Sequence, residues 1–272
     1  MPAMTSPSEP AVAGHATADA PGSPEPPAVR GPRPPSWLAT AATALYLLPA
    51  TLALGLLAIL VSWVPPRGDL TSAVARLWGR GLLAAAGVRV EVEVHPAVVP
   101  SRGYLVMANH ASYFDVAAML AVIPGTYRFV AKRSLFAIPV FGWALRAGGF
   151  IPVDRKDKRR AREVWAAAGD RVRRGASVLF YPEGTRSPDG RIHRFQRGAF
   201  LVALKTGAPI VPAGISGAHA VLPRRRWTVR PGTIRVRFGP PIDPAEYSLR
   251  ERDELIRRVR EEVGRLSGVE LA

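Results

Sequence analysis

The chain has no cysteine, and that absence removes several kinds of chemistry. Disulfide bonds, thiolate metal sites and a cysteine nucleophile each require a thiol, so all three are excluded. The five histidines follow no metal-ligand spacing, and we therefore expect no metal site. We also expect no bound cofactor. Structural or exposed roles are expected for the three histidines that have no partner at an informative spacing: His95, His193 and His219.

Acidic side chains are few relative to basic ones. The 272 residues include 37 lysines and arginines against 21 aspartates and glutamates, which gives a formal net charge of +16. Such a charge attracts polyanions, among them nucleic acid, anionic lipid headgroups, phosphorylated ligands and acidic carrier proteins. Nucleic acid is not expected, because no aromatic residues interleave with the basic clusters and no helix-turn-helix, zinc-finger or RNA-recognition signature is present.

Large apolar side chains are rare in residues 1–35, which are rich in proline, alanine, serine and glycine. A segment of this composition buries too little surface to offset the entropy that ordering costs, so we predict a disordered leader. The leader is unlike a signal peptide, because no basic region opens it and acidic residues precede the apolar stretch that follows.

Charged residues are missing altogether from residues 36–66. A helix needs about 20 apolar residues to span a bilayer, and this apolar run is longer than that. Trp37 and Trp63 lie at its ends, where tryptophans meet the membrane interface. The sequence predicts a membrane-embedded helix, or a helical hairpin if Pro49 divides the run. A hairpin buried in the protein core is the alternative.

Positive charge is heavier after the apolar run than before it. Three arginines follow the run closely: Arg67, Arg76 and Arg80. Because basic residues stay on the cytoplasmic side of a membrane, we expect residues 67–272 to form a domain at the cell membrane that faces the cytoplasm.

Residues 67–272 alternate between strand-like and helix-like patterns. Apolar residues at every second position from Val88 to Val94 predict a strand with one buried face. Such alternation is typical of an α/β fold with a mixed, largely parallel sheet flanked by helices. The other predicted strands are 103–107, 127–131, 149–153, 176–181, 209–215 and 233–238. The predicted helices are 70–86, 114–122, 136–147, 157–174, 196–206 and 244–266.

A histidine and a carboxylate stand five residues apart in the run from Asn109 to Asp115. An imidazole can take a proton from an alcohol near neutral pH, and a carboxylate on its other ring nitrogen fixes the tautomer. Within one helix the two side chains would point about 140° apart. They meet only if His110 lies in a loop and Asp115 in the first turn of the next helix. The pair then predicts an activated general base; a solvated or capping pair is the alternative.

A second polar run follows the apolar strand that ends at Tyr181. Ligands of open α/β folds bind in the turns that follow the strands. Gly184 lets the backbone approach a ligand closely, and the guanidinium of Arg186 suits a phosphate. Thr185 adds a hydroxyl donor, whereas Glu183 offers only acceptors. An ordinary polar turn is the alternative, and the spacing excludes a P-loop.

Two further runs complete a recognisable set of four. Gly148–Arg155 is predicted to be a strand that ends in a basic residue, with a plain strand end and a solvated arginine as its alternative. The four runs resemble, in order, the sequence blocks of the glycerolipid acyltransferase superfamily, and most closely its 1-acylglycerol-3-phosphate acyltransferases. Asn109–Asp115 resembles the His-x4-Asp block, Phe150–Arg155 the Phe-Ile-x-x-x-Arg block, Tyr181–Ser187 the Phe-Pro-Glu-Gly-Thr-Arg-Ser block and Ile210–Ala213 the proline-containing block.

The similarity covers roughly residues 70–240 and leaves out the leader. It implies transfer of an acyl chain from acyl-CoA or acyl-carrier protein to the sn-2 hydroxyl of 1-acylglycerol 3-phosphate, giving phosphatidic acid for phospholipid synthesis. His110 would remove the hydroxyl proton and Asp115 would orient His110. The residues implied in binding the substrate phosphate are Arg155, Glu183, Gly184, Thr185 and Arg186.

Some mechanistic details stay open at this stage. Backbone amides at the start of the helix after His110 are expected to hold the tetrahedral oxyanion. An acyl-enzyme on Ser112 is a minor alternative, since the substrate supplies its own nucleophilic hydroxyl. Tyr181 stands where the family more often has phenylalanine.

The implied partners are the lipid bilayer, an anionic lysophospholipid acceptor and the acyl-CoA or carrier-protein donor. Basic clusters would attract anionic lipid; they comprise Arg155, Lys156, Lys158, Arg159, Arg160, Arg224, Arg225 and Arg226. Another acceptor, such as lyso-ornithine lipid or glycerol 3-phosphate, would need the same motifs. A non-catalytic membrane-bound polyanion-binding protein is the alternative outside the enzymes.

Overall fold

The computed structural model describes residues 33–64, 69–154 and 161–272. Residues 1–32, nearly all of the predicted disordered leader, lie outside the described residues. Arg155, one of the expected phosphate ligands, also lies outside them, as do the basic residues Lys156, Lys158, Arg159 and Arg160.

The apolar segment forms one continuous helix, α1 (Trp37–Val61), of 25 residues. It begins at Ser36, whose Oγ accepts a hydrogen bond from the Ala39 amide at 3.2 Å. Pro49 lies inside the helix and does not divide it, so the hairpin form of the prediction is wrong. The helix is long and apolar enough to cross a membrane, with a mean hydropathy of 2.3. Only 6% of its most apolar window is buried, which also rules out the core-hairpin alternative.

Helix α1 packs closely along α2 (Asp69–Ala85), and polar side chains take part in the contact. The Tyr46 hydroxyl donates to the Trp78 carbonyl at 3.2 Å, and Trp78 Nε1 donates to Thr51 Oγ1 at 3.0 Å. Gly81 sits beneath the Tyr46 ring, where a Cβ atom would have no room. The apolar helix is therefore attached to the rest of the domain by one side and leaves its other side open.

Seven strands form one sheet in the described part of the chain. Their bounds are β1 (Val88–Val94), β2 (Leu105–Ala108), β3 (Tyr127–Lys132), β4 (Ile151–Val153), β5 (Ser177–Phe180), β6 (Ile210–Ser216) and β7 (Gly232–Phe238). The order across the sheet is β1-β7-β6-β2-β5-β3-β4, and only the β6–β7 pair is antiparallel. The predicted mixed, largely parallel sheet is confirmed.

Among the described residues, six more helices flank the sheet: α3 (Phe114–Val122), α4 (Phe141–Ala147), α5 (Ala161–Arg173), α6 (Arg197–Thr206), α7 (Ala218–Val221) and α8 (Arg252–Ser267). Two predicted helices are shorter than expected. The 136–147 pattern breaks at Pro139, which cannot continue a helix, and Val140 follows with a φ of 60°. The 244–266 pattern starts with a short 3-10 turn at Pro244–Glu246 before α8 begins. Helix α7 was not predicted.

The hydrophobic core forms two layers, one on each face of the sheet. Alternate residues of β2 divide between them: Val106 packs with the α2 and α3 layer, and Leu105 and Met107 pack with the layer of α5, α6 and α8. The central strands are buried on both faces, as expected for parallel strands covered by helices.

Helix α8 closes the second layer, and Leu255 is one of its fully buried contacts. We predict that Leu255→Ala lowers the free energy of unfolding by about 2–5 kcal/mol, because it leaves a cavity in a close-packed core. Chemical denaturation measures the loss. Leu249→Ala, at a position 56% exposed just before α8, is the matched control and should cost much less. Equal losses for the two variants would contradict this packing.

Candidate active site

The site is built where β2, β5 and β6 end, at one edge of the sheet. Asn109 follows β2 directly, and its side chain pairs with the backbone of Ile215 in β6. Its amide nitrogen donates to the Ile215 carbonyl at 2.8 Å, and its oxygen accepts from the Ile215 amide at 2.8 Å. This pairing anchors the start of the loop that carries His110.

His110 and Asp115 are in contact, as the sequence predicted. His110 lies in the loop after β2, and Asp115 lies in the first turn of α3. The distance from His110 Nδ1 to Asp115 Oδ2 is 2.8 Å. The Asp115 side chain is 1% exposed and the His110 side chain 12% exposed, so the carboxylate is buried while the imidazole reaches the surface.

This contact determines which ring nitrogen can act as a base. A carboxylate oxygen accepts a hydrogen bond, so we assign the neutral imidazole proton to Nδ1. Nε2 then carries the lone pair and is the nitrogen that can take a proton. The arrangement has the chemistry of a histidine oriented by an acid.

The loop amides after His110 are already engaged. Asp115 Oδ2 accepts from the Ala111 amide at 2.7 Å and from the Ser112 amide at 2.7 Å. The Phe114 amide donates to Ser112 Oγ at 3.1 Å. The amides of Ala111 and Ser112 thus orient the acid in this structure, and oxyanion binding by amides at the start of α3 stays a prediction. Ser112 Oγ also donates to the Leu222 carbonyl at 2.9 Å and its residue is fully buried, which argues against an acyl-serine.

Glu183, in the turn after β5, holds the backbone of the His110 loop. Its Oε1 accepts from the His110 amide at 2.8 Å, and its Oε2 accepts from the His193 amide at 3.1 Å. The residue is 7% exposed. Both carboxylate oxygens are thus committed to the protein's own backbone.

Burial of Glu183 shifts its protonation. Desolvation raises the pKa of this carboxyl from its ordinary value of 4.5 to about 7, against the two backbone hydrogen bonds and the charge of His193, which lower it. The nearby Asp115 charge also raises this pKa. The group that holds the His110 loop therefore titrates near neutral pH.

Two further contacts restrain His110. The Ser187 amide donates to the His110 carbonyl at 2.7 Å, so the turn after β5 holds this peptide from both sides. The Tyr181 ring stacks on the imidazole with centroids 4.1 Å apart and an interplanar angle of 19°. Burial raises the pKa of the Tyr181 phenol, and the Asp115 charge raises it further, so the ring stays neutral. The Tyr181 ring thus covers one face of the imidazole while Asp115 occupies its Nδ1 position, and Nε2 is left without a hydrogen bond to any described residue.

The turn after β5 also contains Gly184, Thr185 and Arg186. Gly184 has a φ of +76°, a conformation that glycine adopts without strain. Thr185 is exposed. The Arg186 guanidinium lies 3.5 Å above the ring of Tyr113, which itself belongs to the His110 loop. The structure thus brings His110, Asp115 and the turn residues together.

A second contact between a histidine and a carboxylate, His193 with Asp189, was not predicted from the sequence. His193 Nε2 lies 2.9 Å from Asp189 Oδ1, and Asp189 also accepts from Ser187 Oγ at 2.9 Å. These hydrogen bonds hold the pKa of Asp189 well below its usual range. The i,i+4 spacing of the two residues was the available signal, although here it lies in a loop rather than in a helix. Among the described residues no group of acidic and histidine side chains could hold a metal ion.

Sequence comparison identifies known proteins that are similar to this chain. The acyltransferase family model matches residues 89–216. The chain is 39% identical over 137 residues to a chloroplastic 1-acyl-sn-glycerol-3-phosphate acyltransferase of Brassica napus, over 50% of this chain and 40% of that protein, so it spans less than half the length of that relative. It is 33% identical over 190 residues to 1-acyl-sn-glycerol-3-phosphate acyltransferase alpha of Homo sapiens, over 70% of this chain and 67% of that protein.

The chain belongs to the acyltransferase family. A solved structure extends the likeness to the fold: the crystal structure of the 1-acyl-sn-glycerophosphate acyltransferase PlsC from Thermotoga maritima superposes with a TM-score of 0.72 at 28% identity. The match covers 84% of this chain and 92% of that one. The His110 loop and the turn after β5 both lie within the family match.

The buried carboxyl of Glu183 gives a prediction for stability. Between pH 4.5 and about 7 the unfolded chain has released this proton while the folded chain keeps it. Stability contributed by the protonated form is therefore lost as pH rises through this window. We predict that the free energy of unfolding of the wild type, relative to Glu183→Gln, falls across the window. Denaturation at a series of pH values measures it.

Glu163→Gln, at an exposed position on α5, is the control and should give a curve parallel to the wild type. A Glu183→Gln curve that also runs parallel would mean that the buried carboxyl has an ordinary pKa.

Proposed function

We propose that this acyltransferase-family protein transfers an acyl chain from acyl-CoA or acyl-carrier protein to the sn-2 hydroxyl of 1-acylglycerol 3-phosphate, giving phosphatidic acid. The observation that carries the proposal is the 2.8 Å contact between His110 and Asp115 beside the Arg186 turn. The printed names of the relatives in Brassica napus and Homo sapiens support this reaction.

His110 acts as the general base. Its Nε2 takes the proton of the acceptor hydroxyl as that oxygen attacks the thioester carbonyl. Asp115 stabilises the imidazolium that forms. The tetrahedral intermediate then expels the thiolate, which receives the proton from His110. General-base catalysis of this kind is worth about 10²–10⁴-fold in rate.

The acceptor phosphate is bound by the turn after β5. Arg186 supplies the charge and a planar pair of donors, and Thr185 supplies an exposed hydroxyl beside it. Gly184 keeps the backbone of the turn free of a side chain. Arg155 remains a proposed phosphate ligand on the strength of the family resemblance alone.

Glu183 receives a different role from the one that the resemblance implied. Its two oxygens accept from the amides of His110 and His193, and a carboxylate would repel a phosphate. We assign it as a positioning residue for the His110 loop.

The acyltransferase works at a membrane surface, because acceptor and product are both lipids. Helix α1 supplies an apolar surface that the rest of the protein leaves open. Together with the arginines that follow it, this favours attachment to the cell membrane with the catalytic domain on the cytoplasmic side.

The reaction is tested with purified enzyme in detergent, labelled acyl-CoA or acyl-carrier protein, and a panel of acceptors. We expect acylation of lysophosphatidic acid in preference to glycerol 3-phosphate and lyso-ornithine lipid. His110→Ala should lower kcat by at least about 10²-fold through loss of the base, while the thermal unfolding profile is kept. His95→Ala, at an exposed histidine just after β1, is the control. Wild-type turnover by His110→Ala would end the general-base assignment.

Arg186→Ala should mainly raise the KM for lysophosphatidic acid, by about tenfold to a hundredfold, because hydrogen bonds to charged groups are worth about 1.5–3 kcal/mol. The KM for the acyl donor should change little. Arg250→Ala removes one exposed positive charge elsewhere and controls for net charge. An unchanged acceptor KM in Arg186→Ala would show that the phosphate binds elsewhere.

A further inference from the structure

A short segment between α7 and β7, residues 223–230, has an unusual surface; we refer to it as the rim loop. It contains three consecutive arginines followed by a tryptophan. Arg225, Arg226 and Trp227 are all exposed, and Trp227 is 87% exposed, more than any other large hydrophobic residue in the described chain. Arg225 has a φ of 65°, which is uncommon for a residue with a side chain. These side chains do not pack into the protein, and the backbone conformation at Arg225 is one that glycine would adopt more easily.

The rim loop is joined to the start of the apolar helix. The Ser36 amide donates to the Val229 carbonyl at 2.9 Å, and the Val229 amide donates to Thr40 Oγ1 at 2.8 Å. Trp37, the first residue of α1, is 72% exposed. Trp37 and Trp227, both exposed, thus lie within two residues of the Ser36–Val229 hydrogen bond. This contact is at the start of α1, the helix with the most exposed apolar side chains.

The same loop is joined to the proposed active site. Arg224 Nη1 donates to the Arg186 carbonyl at 3.2 Å. The Leu222 carbonyl, directly before the loop, accepts from Ser112 Oγ at 2.9 Å. The rim loop therefore contacts both the start of the apolar helix and the turn that carries Arg186.

The charge of the rim loop is uncompensated. In the described chain no carboxylate forms an ion pair with Arg225 or Arg226. By contrast, Arg257 on α8 contacts both Glu254 and Glu261. Unpaired arginines next to an exposed tryptophan match the headgroup layer of an anionic bilayer, where guanidinium groups meet phosphates and indole rings meet the interface.

We propose that the rim loop is a membrane-contacting surface that binds the anionic phospholipid headgroups of the bilayer. Arg225 and Arg226 bind lipid phosphates, and Trp227 inserts at the interface beside Trp37. The loop thereby places the site opening against the layer that contains the lysophospholipid acceptor, a consequence that rests on the proposed function. Contact with the bilayer itself does not depend on which acceptor is used.

The lack of cysteine allows a direct test of that contact. The full chain with Trp227→Cys is labelled with an environment-sensitive fluorophore and reconstituted into vesicles of phosphatidylcholine, with or without phosphatidylglycerol. We expect a blue-shifted emission at position 227 that is strongest with phosphatidylglycerol. Leu249→Cys, at a position 56% exposed just before α8 and outside the rim loop, is the control and should keep a water-like emission. A water-like emission at 227 on anionic vesicles would overturn the proposal.

A second measurement concerns activity. The double variant Arg225→Ala, Arg226→Ala should lose about tenfold in rate on anionic vesicles, as two lipid contacts are removed, and should stay near wild type in detergent micelles. The double variant Arg250→Ala, Arg257→Ala removes the same charge near the start of α8 and should behave as wild type on both.

An equal loss in vesicles and micelles would mean that these arginines bind the acceptor or the donor carrier protein, and would overturn the proposal. If no acceptor is acylated at all, the fluorescence arm still decides the membrane contact. Failure of the proposed function is thereby separated from failure of this inference.

Discussion

One carboxylate oxygen organises the centre of this protein. Asp115 Oδ2 accepts from the His110 ring and from the amides of Ala111 and Ser112, so it fixes the imidazole and the loop that carries it at once. A buried carboxylate is tolerated only when such donors surround it. The contact requires α3 to begin immediately after the loop, and the loop to leave β2 at a defined point. The strand, the turn and the helix therefore depend on the same interaction.

Much of this arrangement was accessible from the chain alone. Every predicted strand is present within two residues of its bounds, since buried parallel strands have a strong apolar signal. The His110–Asp115 contact followed from spacing, because only a loop followed by a helix start lets the two side chains meet. Helix ends were less accessible: the break near Pro139 depends on tertiary contacts at Val140 as well as on the proline.

The role of Glu183 could not be predicted, because it depends on partners far along the chain. Its oxygens bind the backbone of His110 and His193, and any residue type could supply those amides. The stacking of Arg186 on Tyr113 is hidden for the same reason, since the two residues come from different strand ends. The resemblance to the family's sequence blocks identifies residues by type and position only. The hydrogen bonds in the structure show which of them contact the protein's own backbone and which are left to bind a ligand. The rim loop shows the converse, because its Arg225 and Arg226 form no ion pair within the described part of the chain.

Asn109 has a further consequence for how the sheet opens. A strand that ends inside a sheet leaves its neighbour with a peptide group that has no hydrogen-bond partner, at a substantial cost when it is buried. The side-chain amide of Asn109 replaces that missing peptide, since it offers a donor and an acceptor at once to Ile215. Aspartate lacks the donor, and glutamine is one methylene longer. The backbone can therefore leave the sheet at Asn109 and form the loop that carries His110, while the Ile215 amide and carbonyl in β6 both keep a hydrogen-bond partner.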